Sequence, residues 1–584
     1  MGAPRRRKPR RTGITRRQFL IRAGAGAAAF SALPMLPGCG RSDPVLGSTL
    51  TENPFKHGVA SGDPMTDRVI LWTRITAPVN APVPVEFTIA SDPEMKQVIS
   101  SGVAKATPER DYTVKVDATG LQPFTTYYYQ FAVGSFTSPV GRTRTLPTGS
   151  PERLRFGVVV CASYAHGLFN AYRRVAERAD LDFVLHLGDY IYEYSSGADG
   201  HEVYGDFRTY EPPHEILTLQ DYRTRHAQYK RDADLQELHR QHPMINIWDD
   251  HEFADNAYKD GAVNHNEKGF DEGPWSVRVA NALQAYYEWI PTREPHDKTN
   301  PRRDNRSLVF GDLAELVLLE ERVGARDKQL PGNVPPELVT QLLPPLAAAL
   351  PVTPFTQTGD YNDPKRTMLG NDEEAWLIDR LRTSTSQWKL LGQGVMFAQL
   401  KIVGTPNALG ASIYLNSDQW DGYAPARDRI FDALKGDATH AKIDNVVVLT
   451  GDIHCSWGND LTPDPNNPLD AAGGYNALNG NGSLAVEYVC TSITSPGLDE
   501  LAPVQDVLRV TNPHIKYVEL SKKGYMVMDV TQERVLGEWW YIDTISAPSS
   551  NQSFGTAFQV MPGSNRLTAA SQSTPKENPP PLAA

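Results

Sequence analysis

Apolar positions change their period along the chain. Between residues 55 and 148 they come in short alternating runs: RVILWTRI, VPVEFTIAS, DYTVKVDA and TYYYQFAV, with turn residues between them. Alternation at period two marks half-buried strands. This stretch is predicted to be a small β-sandwich, and it holds no cluster of catalytic residue types. LPTGSPER closes it as a boundary. From residue 153 the pattern becomes strands interleaved with helices. RLRFGVVVCASY, DFVLHLGDYIY, PMINIWDDHE, DLAELVLLEERVG, QWKLLGQGVMFA and DNVVVLTGDIH are predicted strands. GLFNAYRRVAERADL and the regions 216–240 and 275–289 are predicted helices. Such interleaving predicts an α/β layered domain, here over 152–545. Residues 41–54 read as a linker. Residues 546–584 read as a tail, rich in Pro, Ser and Asn and expected to be disordered after about residue 560.

Length and charge narrow the class. A chain of 584 residues is too long for one ordinary core, so two domains plus tails are expected. The net charge of −11 argues against a nucleic-acid binder. The first 22 residues are the basic exception. They contain Thr15-Arg16-Arg17-Gln18-Phe19-Leu20, followed by IRAGAGAAAFSALPML, the pattern of a twin-arginine export signal over residues 1–40. The apolar run is too short and too rich in Gly and Ala for a good transmembrane helix. Leu36-Pro37-Gly38-Cys39 is similar to a lipobox. Two outcomes stay open: acylation of Cys39 and a membrane anchor, or cleavage nearby and a free enzyme. Cys161, Cys455 and Cys490 are the other cysteines, enough for one bridge and no disulfide scaffold.

Four predicted strands end in the same kind of chemistry. They end at Cys161, at Asp189 and Tyr192, at Asp249, Asp250 and His251, and at Asp452 and His454. Residues two apart in extended chain face one side, so Asp452 and His454 leave their strand toward one point. One acid at a strand end is usually a cap or a turn former. Four such ends exceed what capping needs, and α/β sheets build their sites there. Carboxylate, imidazole, phenolate and thiolate together are metal ligands. There is no Gly-x-Ser-x-Gly elbow and no phosphate-binding P-loop. Taken alone, Cys161 is also compatible with an ordinary buried thiol or a bridge to Cys455.

GDYIY, DDHE and GDIH resemble metallophosphoesterase blocks, although Cys161-Ala162-Ser163-Tyr164 replaces the usual opening Asp-x-His. With HLGDYIYEY, DYRTRHAQYKRDADLQ, WDDHEFADN, QWDGYAPARDR and NVVVLTGDIHCSW in that order, the chain resembles the alkaline phosphatase D (PhoD-like) family. HGVASGDPMTDRVILWTRI resembles that family's N-terminal domain, and LQPFTTYYYQF resembles fibronectin type III sandwiches. The likeness runs from about residue 55 to about 545. It implies a four-layer α/β/β/α metallophosphoesterase core behind a small N-terminal β-sandwich. It implies an Fe(III) ion held by Cys161, Asp189, Tyr192 and His454, with Tyr192 preferred to Tyr190. Asp189 would bridge to Ca²⁺, which Asp250 and Asp452 would also bind. His251 and Arg322 are the implied catalytic groups, and Asp249 and Glu320 would support the ligands from behind. Glu320 stands where the family carries Asp in Leu-Asp-Thr-Arg.

The expectation is an exported, monomeric hydrolase of phosphate monoesters or diesters, acting through a metal-bound hydroxide. Its partners would be the ester substrate and the twin-arginine export machinery. A phospholipase D-type diesterase acting on lipid head groups is the rival within the class. A non-catalytic cell-surface binding protein is the rival outside it.

Overall fold

The computed structural model describes residues 50–584 apart from 78–79, 197–204, 267–271, 296, 343–352 and 469–473. The export signal and Cys39 lie outside the described residues. Two large sheets form the centre. In the first, a ten-stranded sheet, Arg153–Val159, Phe183–Leu187 and Met244–Ile247 run parallel. In the second, Ala314–Leu318, Trp388–Gly392, Val446–Thr450 and Ala485–Val489 run parallel within seven strands. These strands are buried along nearly their whole length, because both faces of each sheet are covered.

Between the sheets, Phe156, Leu185 and Ile245 pack in one cluster with Leu316, Leu390 and Val447. Helices Asn170–Ala176, Leu219–Lys230, Ala233–Gln241 and Trp275–Trp289 carry residues of the cluster on the outer face of the first sheet. Gly370–Thr383 and Ala424–Lys435 do so on the second. The order is helix, sheet, sheet, helix. Each Val, Leu or Ile fully buried this way contributes about 1.5–3 kcal/mol.

The N-terminal sandwich is not a freestanding unit. Its outer sheet is built from Val83–Ala90, Val98–Ala106, Thr126–Val133, Phe136–Thr137 and Gly141–Arg144. Its inner layer, Val59–Gly62, Arg68–Arg74 and Thr113–Thr119, is the edge of the ten-stranded sheet. The join is Gly62, which pairs parallel with Met244. A Cβ there would lie 2.3 Å from the Pro291 carbonyl oxygen and 2.6 Å from that of Met244, so only glycine permits the approach. Trp72 Nε1 donates across the same join to the Glu288 carbonyl at 2.8 Å.

The expected disorder after residue 560 does not occur. Gln552–Val560 and Thr568–Ala570 extend the ten-stranded sheet. The remaining tail then runs back across the molecule. Ser573 N donates to Glu538 Oε1 at 2.7 Å, and Lys576 pairs with Asp182. Tyr128 Oη donates to the Pro581 carbonyl at 2.6 Å, and Ala583 N donates to Gln241 Oε1 at 2.8 Å. The composition is that of a loop, but buried charges of the core supply its partners.

Candidate metal centre

The parallel strands of both sheets deliver their carboxyl ends to one place. Chain direction then reverses sharply at the chemical groups. Cys161, Asp189, Asp452 and His454 all have left-handed backbone, with φ of 56°, 53°, 60° and 61°. Such a conformation costs a residue with a Cβ about 1–2 kcal/mol. Hydrogen bonds hold it. Glu252 Oε2 accepts from the backbone of Asp189 at 3.1 Å and of Asp249 at 2.7 Å, and its Oε1 accepts from Tyr190 N at 2.6 Å. Gly451 N donates to the Gly394 carbonyl at 2.8 Å. Gly394 also leaves room for Asp249, since a Cβ there would lie 2.6 Å from its Oδ1.

Three overlapping groups result. Cys161, Asp189 and His454 form one, Asp189, Asp250 and His251 a second, and Asp249, Asp250 and Asp452 a third. Within each, one donor atom per residue lies within 4.8 Å of the others. Tyr192 Oη joins the first group, donating to Asp189 Oδ2 at 3.0 Å and standing 3.2 Å from His454 Nε2. Ser495 Oγ donates to Tyr192 Oη at 2.6 Å. Tyr190 faces away and pairs with His239 at 2.8 Å. Cys161, Cys455 and Cys490 are free and buried, which removes the Cys161–Cys455 bridge.

The electrostatics are those of negative charge only partly compensated by Arg322 and His251. Burial, with neighbouring carboxylates adding to it, pushes the Asp189 carboxyl and the Cys161 thiol well up. Burial raises Asp249 to about 7 and Asp452 to about 6 despite the Arg322 guanidinium beside them. Asp250 is instead held down at about 2, because Arg322 and His251 outweigh its burial. His454 is lowered to about 3, by burial first and then by Lys523. Its Nδ1 lies 2.7 Å from the Pro496 carbonyl oxygen, so that nitrogen donates and Nε2 offers a lone pair to the cluster. Asp189 Oδ1 and Asp249 Oδ2 are buried without a hydrogen-bond partner. Orphaned carboxylate oxygens, a thiol, a phenol and an oriented neutral imidazole fit a cation-binding centre.

His251 stacks on Tyr192 with ring centroids 4.2 Å apart. Its Nδ1 pairs with Glu193 Oε2 at 2.7 Å, and its Nε2 lies 4.0 Å from Asp250 Oδ2. Asp250, Glu193 and Asp189 overcome burial and raise its pKa well above the usual value. Arg322, implied by the resemblance as a catalytic group, lies among the donor carboxylates. Its guanidinium is buried and engaged by carboxylates on every side. Nε pairs with Asp249, Nη1 with Asp418 at 2.8 Å, and Nη2 with Asp452 at 3.0 Å and Asp250 at 3.3 Å. Glu320 closes the turn behind it, accepting from Trp248 Nε1 at 2.9 Å and from Arg322 N at 3.1 Å. Glu193, Glu252, Asp418 and Ser495 were not singled out from the sequence. Glu193 and Glu252 lie inside quoted motifs, but nothing in their spacing distinguishes them from surface acids.

The sequence profile of the PhoD-like phosphatase family matches residues 156–539, and that of the PhoD-like phosphatase N-terminal domain matches 41–147. The chain belongs to the PhoD-like phosphatase family. It is 34% identical over 573 residues to alkaline phosphatase D of Bacillus subtilis (strain 168), covering 96% of this chain and 90% of that protein. A solved structure of PhoD superposes with a TM-score of 0.75 at 31% identity, covering 90% of this chain and 94% of that one. This member of the PhoD-like phosphatase family is a phosphoric ester hydrolase, and the reading as a non-catalytic binding protein falls. No helix among the described residues is long and apolar enough to cross a membrane.

Proposed function

We propose that this chain is an exported, metal-dependent hydrolase of phosphate monoesters and diesters with a mixed iron–calcium centre. Cys161, Asp189, Tyr192 and His454 would hold Fe(III), for which thiolate and phenolate are suited donors. Asp189, Asp250 and Asp452 would hold Ca²⁺, which prefers carboxylate oxygens. The observation that carries the reading is the overlap of the donor groups, with Asp189 common to the first two and Asp250 to the last two. When bound, the two ions supply Lewis acidity to the phosphoryl group and its attacking water.

The chain's own residues do the rest. Pro496 fixes the His454 ring, and Ser495 fixes the Tyr192 hydroxyl. Glu193 accepts a hydrogen bond from His251 Nδ1–H, which leaves Nε2–H aimed toward the Asp250 side of the cluster. That proton is placed for delivery to the leaving oxygen, the role of a general acid. Asp249 and Glu320 support from behind, through Arg322. The twin-arginine pattern at residues 15–20 carries the export part of the proposal, and Cys39 its anchoring branch. Turnover of a chromogenic bis-ester and a mono-ester, with and without Ca²⁺, tests the reading. Calcium-dependent turnover is expected, and turnover indifferent to calcium removal by chelation would contradict it.

A further inference from the structure

The three carboxylates of the Asp249–Asp250–Asp452 group already have a cation among them. Arg322 reaches all three, and only Nη1 points elsewhere, to Asp418. Asp418 is itself shared with Arg326, whose Nη2 lies 2.6 Å from its Oδ1. The guanidinium is 1% exposed, so solvent screens its charge only weakly from a cation seated beside it. Asp249 keeps one buried oxygen, Oδ2, with no hydrogen-bond partner. The group therefore keeps a lone pair for a cation and is only partly neutralised. A fixed guanidinium acts on such a site in two opposite ways. It holds the carboxylates in one geometry, which favours binding. It also repels a divalent ion, which opposes binding.

We propose that repulsion is the larger effect, and that Arg322 is a positioning residue which sets the second cation site to exchangeable rather than tight binding. This rests on the reading of Asp250 and Asp452 as calcium ligands, with Asp249 behind them. Calcium would arrive and leave, whereas the ion in the thiolate–phenolate group stays. Arg322 is then the device that makes one half of a two-ion centre responsive to calcium outside the protein.

Isothermal titration of Ca²⁺ into the full chain, stripped of calcium by a chelator, tests the inference without reference to turnover. Arg322→Gln removes the charge and keeps much of the shape. It is expected to bind Ca²⁺ about ten-fold or more tightly than the parent. Arg322→Lys keeps the charge and loses the fork, and is expected to bind within a few-fold of the parent. Equal or weaker binding by the glutamine variant would overturn the inference while leaving the calcium site standing. Absence of calcium binding in the parent itself would overturn the site. If the glutamine variant does not fold, Asp418→Asn replaces it. That change removes the anchor outside the group and turns the whole guanidinium charge on the remaining carboxylates. It should weaken Ca²⁺ binding several-fold, and unchanged or tighter binding would equally overturn the inference.

Discussion

Glu193 Oε2 lies 2.7 Å from His251 Nδ1, and this pair decides which nitrogen of His251 faces the donor cluster. Glu193 is fully buried, and its other oxygen accepts from Asp255 N at 2.6 Å and from Asn264 Nδ2 at 2.8 Å. It cannot turn away without leaving donors unpaired. His251 is thereby fixed in position, with Nδ1–H on Glu193 and Nε2 toward Asp250.

His251→Ala should keep its metals and lose roughly 10²–10⁴-fold in turnover, the usual worth of general acid catalysis. The loss should shrink for esters whose leaving group needs no proton. Glu193→Gln removes a charge that raises the His251 pKa. The alkaline limb of its pH–rate profile should therefore move to lower pH. Rates measured against leaving-group pKa check both, and an equal loss for good and poor leaving groups would exclude the acid role.

Buried histidines of the scaffold should contribute acid sensitivity. Burial lowers His57, His186, His226, His242 and His514 to about 3 each. In the unfolded chain these groups bind protons near 6.5. Between about 6.5 and about 3 the unfolded state thus holds more protons, and stability falls as pH falls. Above about 6.5 they contribute no slope. Carboxylates that burial raises to about 7, Glu252, Asp255 and Asp304 among them, act in the opposite direction over the same window. The histidine part is isolated by comparison with His242→Gln: the parent's denaturant midpoint should fall further between pH 7.5 and 4.5 than the variant's, and an identical fall would contradict neutral burial of that ring.

Truncation after residue 571 should destabilise the enzyme although the deleted piece reads as loop. Arg155 is fully buried with Asp180 and Asp529 at 2.7 Å each, and Ser573 caps the same cluster. Deletion leaves these groups and Glu538 short of partners, at about 1–3 kcal/mol per orphaned group. A clear drop in melting temperature is expected. A truncated protein that melts with the full chain would show that the tail does not brace the core.

Much of the centre was legible because its residues sit at fixed offsets from strands. Asp452 and His454 follow Val446–Thr450, and Asp249 follows Met244–Ile247, so local periodicity pointed at them. Asp418 and Ser495 were not legible, because they reach the cluster from segments that no local spacing ties to it. Arg322 was noticed, but its burial among carboxylates depends on how the two sheets pack. The strand Val98–Ala106 escaped notice because VISSGVAKA is largely exposed and carries Ser, Gly and Lys. The tail was misread for the opposite reason: its partners, Arg155, Asp182 and Gln241, lie far away in sequence.

Export can be tested independently of catalysis. Arg16→Lys with Arg17→Lys should leave precursor in the cytoplasm, and normal export of the double variant would count against the twin-arginine reading. Mass analysis of the mature N-terminus decides between an acylated Cys39 and a free start beyond it.

The account stands most directly on the first donor group, where Cys161 and Tyr192 meet Asp189 and His454. Ferric ion bound to phenolate and thiolate absorbs visible light by ligand-to-metal charge transfer, which neither zinc nor magnesium does. The visible spectrum of the purified enzyme, read together with its metal content, is the decisive measurement. A coloured protein with about one iron per chain is expected, its band shifted or weakened in Cys161→Ser and largely lost in Tyr192→Phe. A colourless, fully active preparation containing only zinc would contradict the account.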